Sequence, residues 1–186
     1  MEAVLLNSGG IDILASIIKL KEADTDLILH SITIFNGRPS DERTRVSAKL
    51  IADEYCISHE EIILPGTWTA PDLAGNLTKF PYQTTMFHIL AAAKARQKQL
   101  EYIVSGIDHA FSETYNRKLC ALLEQETRSP YIVIPIHPVK SLSRDERMQI
   151  VKDHPLAKFT VSCGEAEPCF ECSKCMSRVK YNIAVN

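Results

Sequence analysis

The sequence predicts an α/β fold: a doubly wound, mostly parallel five-stranded sheet with helices on both faces and a metal-binding segment near the C-terminal end. Three observations carry this expectation. Short apolar runs alternate with helical periods of ten or more residues, a Ser-Gly-Gly turn directly follows the first run, and four cysteines crowd between positions 163 and 175.

Val4-Leu5-Leu6 stops at the turn Asn7-Ser8-Gly9-Gly10, after which Ile11, Leu14, Ala15 and Ile18 recur at helical spacing, so the chain opens strand, loop, helix. Residues 27–35 are rich in β-branched side chains and end at Asn36-Gly37, a turn pair, which makes a second buried strand. Residues 41–55 form a helix with Val46, Leu50 and Ile51 on one stripe, and Ile62-Ile63-Leu64 is a third strand closed by Pro65-Gly66. Residues 67–79 hold Trp68, Asp72 and Gly75 without a period and are expected to be a long loop, a kind of segment that tends to be functional. A helix starts near Pro81, which suits a first turn, and carries Met86, Ile89, Leu90, Ala93 and Arg96 to Lys98. Residues 102–106 are the fourth strand, 112–126 a helix and 131–136 the fifth strand. Ser143-Arg144-Asp145-Glu146 has the form of a capping box opening a helix to about Asp153.

The 186 residues suffice for one sizeable core, being 45% hydrophobic and 24% charged. Twenty-one Lys plus Arg against 23 Asp plus Glu leave a net charge of -2, which excludes a global basic field and, with it, broad nucleic-acid binding. No apolar run approaches the roughly 20 residues of a membrane span, and Ser8-Gly9-Gly10 arrives before a signal peptide could develop. The expectation is a soluble, cytoplasmic protein with no membrane partner.

Ser8-Gly9-Gly10-Ile11-Asp12 lies between a strand and a helix, so its amides sit at a helix N-terminus where the macrodipole favours an anion. It is neither a Walker motif nor a dinucleotide fingerprint, because the glycine spacing is wrong and no Lys-Ser or Lys-Thr follows. The plain alternative is a tight strand-to-helix turn. Ser-Gly-Gly-x-Asp after a first strand resembles the PP-loop of the N-type ATP pyrophosphatases, and the chain is most similar to the 7-cyano-7-deazaguanine synthase family within them. Phe35-Asn36-Gly37-Arg38, Ser105-Gly106-Ile107-Asp108 through Tyr115-Asn116-Arg117, and the four-cysteine tail extend the resemblance along the chain. Ile13 replaces the family's Ser after the loop Asp, and Pro81-Tyr82-Gln83 replaces its Pro-x-Arg-Asn stretch.

The resemblance implies a Rossmann-like fold of the adenine nucleotide alpha hydrolase type, with a PP-loop domain over 1–158 and a zinc segment over 159–186 packed on it. It implies an ATP-dependent ligase that converts 7-carboxy-7-deazaguanine and ammonia to the nitrile through adenylated intermediates. A related enzyme adenylating a different carboxylate, and a homologue that binds nucleotide without turnover, are the alternatives. The nucleotide would contact Asn7, Ser8, Gly9, Gly10, Ile11, Asp12, Ile13, Leu14, Ala15, Ser16 and Ile17, with Gly106 and Asp108 from the fourth strand's end. ATP, Mg²⁺ and Zn²⁺ are the implied cofactors, Asp12 lying near the Mg²⁺. A homodimer, as in several family members, is compatible with the chain.

Adenylation depends on positioning and charge neutralisation, so cations matter most; Arg117, Arg144 and Lys140 are the candidates beside Asp12. Arg117 follows Glu113 at i+4 and also fits a surface pair. Arg144 stands in a first helical turn, which the dipole disfavours for a plain surface cation. His88 and His137 read as packing or surface histidines, and Trp68 and Phe80 as covers for a purine ring or clasps of the loop. Cys56 and Cys120 read as small buried hydrophobes. Cys163, Cys169, Cys172 and Cys175 have the spacing C-x5-C-x2-C-x2-C, which suits a closed tetrahedral Zn²⁺ site; an iron–sulfur cluster is the competing reading.

Overall fold

The computed structural model describes residues 1–64, 69–71, 77–79, 83–106, 117–119, 121–122 and 133–185. In chain order its elements are β1 (Glu2–Leu6), α1 (Ile11–Ala23), β2 (Ile28–Phe35), α2 (Asp41–Tyr55), β3 (Ser58–Ile63), β4 (Thr69–Pro71), β5 (Leu77–Lys79), α3 (Gln83–Gln97), β6 (Tyr102–Ser105), β7 (Ile134–Ile136), α4 (Arg144–Val151) and α5 (Ser173–Lys180).

Five parallel strands stand in the order β3-β2-β1-β6-β7, with Ala3 of β1 opposite Leu29 on one side and Tyr102 on the other. The α/β, doubly wound parallel sheet expected from the sequence is therefore the observed architecture. Side chains alternate across the sheet with a period of two. Val4, Ile32, Ile34 and Ile103 pack against Ala91, Ala92 and Ala95 of α3 on one face. Ala3, Leu5, Leu29 and Val104 pack against Ile13, Ile17 and Ile51 of α1 and α2 on the other. A third cluster joins Ile11, Leu14 and Ala15 of α1 to Met148 and Val151 of α4 and to Ala157 and Ile183 of the C-terminal segment.

One buried side chain gathers the segment after 158 onto itself and onto Ala157. Arg178, fully buried, donates from Nε to Ala184 O (2.6 Å), from Nη1 to Thr160 O (2.7 Å) and Thr160 Oγ1 (2.8 Å), and from Nη2 to Ala157 O (3.0 Å). Burial lowers its pKa to about 10, and the guanidinium keeps its charge at neutral pH.

Several expectations need correcting. The stretch 67–79 is not wholly loop: β4 and β5 pair antiparallel, Thr69 opposite Lys79. Three-residue strands leave too short a pattern to read. The third strand begins at Ser58, four residues before the apolar triplet, because its outer positions are half exposed and polar. The cysteine segment contains α5, which the spacing did not announce; Cys172 is its N-cap and accepts from Cys175 N. The capping box is present as expected, Glu146 N donating to Ser143 Oγ at 3.2 Å and Ser143 N to a Glu146 carboxylate oxygen at 2.6 Å. The predicted 112–126 helix is described only at 117–119 and 121–122, which are helical; Trp68, Phe80, Asp108 and Cys120 lie outside the described residues.

Candidate functional site

Strand β1 ends where the order switches sides, with β2 on one flank and β6 on the other, and ligands of open α/β sheets bind outside that point. The chain leaves β1 through Asn7, buried and fixed: its Nδ2 donates to Ala48 O (2.9 Å) and Ser31 Oγ (3.1 Å), and its Oδ1 accepts from Gly9 N (2.9 Å). Gly9 adopts φ +63°, and a Cβ there would meet Ser47 Cβ and Thr44 O at 3.0 Å, so α2 leaves room for glycine alone. Its carbonyl accepts from Ser47 Oγ (2.7 Å) and Val161 N (2.8 Å). Asn7 and Gly9 thus shape the loop from behind. The Gly9 N–H, committed to Asn7, is not a phosphate donor in this arrangement. Gly10 is the extended N-cap of α1, and the first-turn N–H groups of Gly10 and Ile11 have no intrahelical acceptor.

These residues open onto a cleft of about 180 Å³ lined by Ser8, Gly10, Ile11, Asp12, Arg144, Arg147, Met148, Val161, Ser162 and Lys174. Apart from Met148, the helical residues in that lining come from N-terminal turns: Ile11 and Asp12 open α1, Arg144 and Arg147 lie in the first turn of α4, and Lys174 opens α5. Each helix start carries about half a positive charge from its aligned peptides. Three side-chain cations against one carboxylate add to the same sign. The cleft is electropositive.

Asp12, about half exposed, meets Arg147 Nη1 at 3.0 Å, and Arg147 is only 3% exposed. Arg147 also donates from Nε to Ser143 O at 3.3 Å, so the cap of α4 aims it. Sequence reasoning missed Arg147. Arg147 stands one turn into the helix that the capping box opens, but its approach to the loop is set by the packing of α4 on α1, which no local pattern shows. Arg144 lines the cleft, as does Asp12, whereas Arg117 and Lys140 are exposed and are not among its described lining residues.

The expected nucleotide contacts also need sorting. Ile13, Leu14, Ala15 and Ile17 are buried in the apolar clusters, where helical periodicity turns them away from the cleft. Ser16 is buried and donates to Asp12 O at 2.7 Å, so its hydroxyl does not replace the one that Ile13 lacks. Gly106 serves packing: a Cβ on it would lie 2.8 Å from both Asp12 C and Ile13 N, so the end of β6 presses on the first turn of α1. Asn7 acts through Gly9 and not at the cleft surface. Asp108 lies outside the described residues.

His88 of α3 and His137, directly after β7, are buried with ring centroids 5.6 Å apart. Burial, then the neighbouring His88 and Lys140, push the His137 pKa down to about 4, and burial lowers that of His88. Both are packed neutral imidazoles. Cys56, half-buried, has its thiol pushed up to about 12 by burial, which leaves it inert.

The four C-terminal cysteines come together. Their sulfurs all lie within 4.8 Å of one another, with Cys163 to Cys169 at 3.6 Å and Cys169 to Cys175 at 3.9 Å. Cys163 and Cys175 are buried. Phe170, at φ +58°, turns the backbone between Cys169 and Cys172, and the amides of Cys172 and Cys175 donate to the Cys169 and Cys172 sulfurs at 3.4 Å. Such amides stabilise thiolates.

The fold and cleft define a doubly wound α/β protein with an electropositive cleft at the sheet's switch point and a four-cysteine cluster that could hold a metal ion. Among solved structures, the U34-tRNA thiolase NcsA from Methanococcus maripaludis, solved with its [4Fe-4S] cluster, superposes with a TM-score of 0.60 at 14% identity over 97% of this chain. This chain spans 64% of that protein's length. A predicted tRNA methyltransferase subunit from Methanocaldococcus jannaschii aligns more loosely, at a TM-score of 0.45 and 16% identity over 81% of this chain and 73% of that one. No family model and no curated protein matches the sequence. The likeness to the thiolase shows a shared fold. Among the described residues no helix is long and apolar enough to cross a membrane.

Proposed function

We propose that this chain is an ATP-dependent adenylating enzyme of the PP-loop type, and that its substrate is a deazapurine carboxylate, 7-carboxy-7-deazaguanine, with ammonia as nitrogen donor. The observation that carries this reading is the convergence of three helix N-termini and three cations on one cleft beside Ser8-Gly9-Gly10. A nucleoside triphosphate supplies the matching negative charge, and the N–H groups of Gly10 and Ile11 supply donors where its phosphates would lie.

The reaction balances as follows. A carboxylate oxygen attacks the α-phosphorus, the bond to the pyrophosphate oxygen breaks, and an acyl-adenylate forms. Ammonia attacks the acyl carbon, AMP leaves, and a proton is lost to give the amide. The amide oxygen attacks the α-phosphorus of a second ATP and a second pyrophosphate leaves; departure of AMP with loss of both amide protons then gives the nitrile. Arg144 and Arg147 neutralise charge gathering on the departing phosphates, and Arg147 also holds the Asp12 carboxylate in place. Asp12 offers the hard oxygen donor that Mg²⁺ takes together with phosphates, and that ion would screen phosphate charge. No general base is required for the first step, because the attacking oxygen is already ionised.

Cys163, Cys169, Cys172 and Cys175 would hold Zn²⁺. Four sulfurs about 2.3 Å from one ion stand about 3.8 Å apart, close to the 3.6 and 3.9 Å observed. A four-iron cube places its own atoms between the thiolates and spreads them wider. A closed four-thiolate site leaves no position for water, so its contribution is structural.

Protein mixed with MgATP, ammonia and 7-carboxy-7-deazaguanine should yield AMP, pyrophosphate and, by mass spectrometry, the amide and then the nitrile. AMP formed with another carboxylic acid but not with the deazaguanine would replace the substrate and leave adenylation standing. Tight ATP binding without AMP would select a homologue that binds nucleotide without turnover.

A further inference from the structure

We infer that the C-terminal cysteine segment completes the anion cleft, and that Lys174 is a phosphate-positioning residue delivered to it by the metal knot; this rests on the nucleotide reading of the cleft. One wall of the cleft consists of Val161, Ser162 and Lys174, all from the segment after 158. Lys174 sits between two of the four cysteines, in the first turn of α5, whose N-cap is Cys172. A cation at that place is opposed by the helix dipole unless an anion faces it. Here the same cleft receives Arg144 and Arg147 from across the gap.

The knot's connections run directly to the loop that would hold the phosphates. Val161 N donates to Gly9 O at 2.8 Å, so the strap before Cys163 is bonded to the loop itself. Arg43 of α2 donates from Nη2 to Cys163 O (3.3 Å) and Glu165 O (2.5 Å), which anchors the first cysteine's backbone to the helix behind Gly9. Arg178 ties α5 back to Thr160 and Ala157 on the other side of the strap. Thiolates gathered on one ion fix the start of α5, and the start of α5 fixes Lys174. The outer phosphates, which leave as pyrophosphate, are the part of the nucleotide Lys174 is placed to meet. Metal occupancy and pyrophosphate affinity are therefore linked.

The test is calorimetric binding of inorganic pyrophosphate, with metal content measured on each preparation. Lys174→Gln should weaken binding up to about tenfold, the loss of one charge-assisted contact from an exposed side chain, while zinc content and thermal midpoint stay at wild-type values. Lys180→Gln, at the far end of the same helix and paired with Asp145 at 2.6 Å, should leave affinity unchanged. Chelation should weaken pyrophosphate binding in the wild type and add little in Lys174→Gln. Wild-type affinity in Lys174→Gln would overturn the role of Lys174 and leave the nucleotide reading intact. Absence of pyrophosphate and ATP binding in the wild type would overturn both.

Discussion

Replacing Gly106 with alanine tests how tightly the sheet and the loop are joined. The added Cβ would lie 2.8 Å from Asp12 C and Ile13 N, two backbone atoms that cannot rotate aside. Ordinary contact begins at 3.4 Å, so α1 or the end of β6 must move by at least about 0.6 Å in a closely packed interior. Helix α1 cannot shift freely, because Ile13, Leu14 and Ile17 are packed in two different clusters. Overpacking of this kind costs about 1–3 kcal/mol, offset by about 0.4–1 kcal/mol from the reduced freedom of the unfolded chain. The net expectation is a loss of about 1–2 kcal/mol, read as a lower urea midpoint at unchanged slope. Pyrophosphate affinity should fall as well, since the displaced atoms belong to the first turn of α1. Gly164→Ala is the control: a Cβ there meets nothing within 4 Å, so stability should hold or rise slightly. Wild-type stability and affinity in Gly106→Ala would refute the close approach of β6 to the loop.

Other outcomes follow from the same contacts. Arg178→Met removes the donor to the buried carbonyls of Ala157 and Thr160 and to the part-buried one of Ala184, and should cost about 3 kcal/mol or more in a urea titration; Arg178→Lys should fall between it and wild type. Arg147→Met should abolish detectable AMP formation, and it should weaken pyrophosphate binding at least about tenfold, because it removes the most buried cation of the cleft. His137 has a folded-state pKa of about 4 against an ordinary 6.5, so the unfolded chain binds the extra proton first. Stability should be complete above pH 6.5 and decline as pH falls toward 4, by up to about 3 kcal/mol from this residue, and His137→Asn should flatten that slope in urea titrations. Metal analysis should find one zinc per chain, and chelation should lower the thermal midpoint by more than about 5 °C.

The sheet could be read because its strands are apolar runs of β-branched residues broken by turn pairs, as at Leu27 to Gly37. The cleft could be read in part. The Ser-Gly-Gly turn and the first-turn cation Arg144 are local features, visible in a short window. Arg147 and Lys174 reach the same cleft only because α4 and α5 point their starts at α1, a tertiary arrangement with no local trace. The loop motif in sequence extends over 7–17 as one stretch, yet from Ile13 onward the helix turns its side chains into the core, except Ser16, whose hydroxyl returns to the backbone. Gly9 and Gly106 show the same limit: both are required by atoms far away in sequence, Thr44 and Ser47 for one, Asp12 and Ile13 for the other. The convergence of the four sulfurs was foreshadowed by spacing alone, whereas the helix that carries Cys175 was not.

The most direct test of the account is exchange of labelled pyrophosphate into ATP with Mg²⁺ and the deazapurine carboxylate present and ammonia withheld. Adenylation predicts exchange that depends on the carboxylate and is lost in Arg147→Met. Release of ADP and phosphate, or no exchange with any carboxylic acid despite ATP binding, would contradict it.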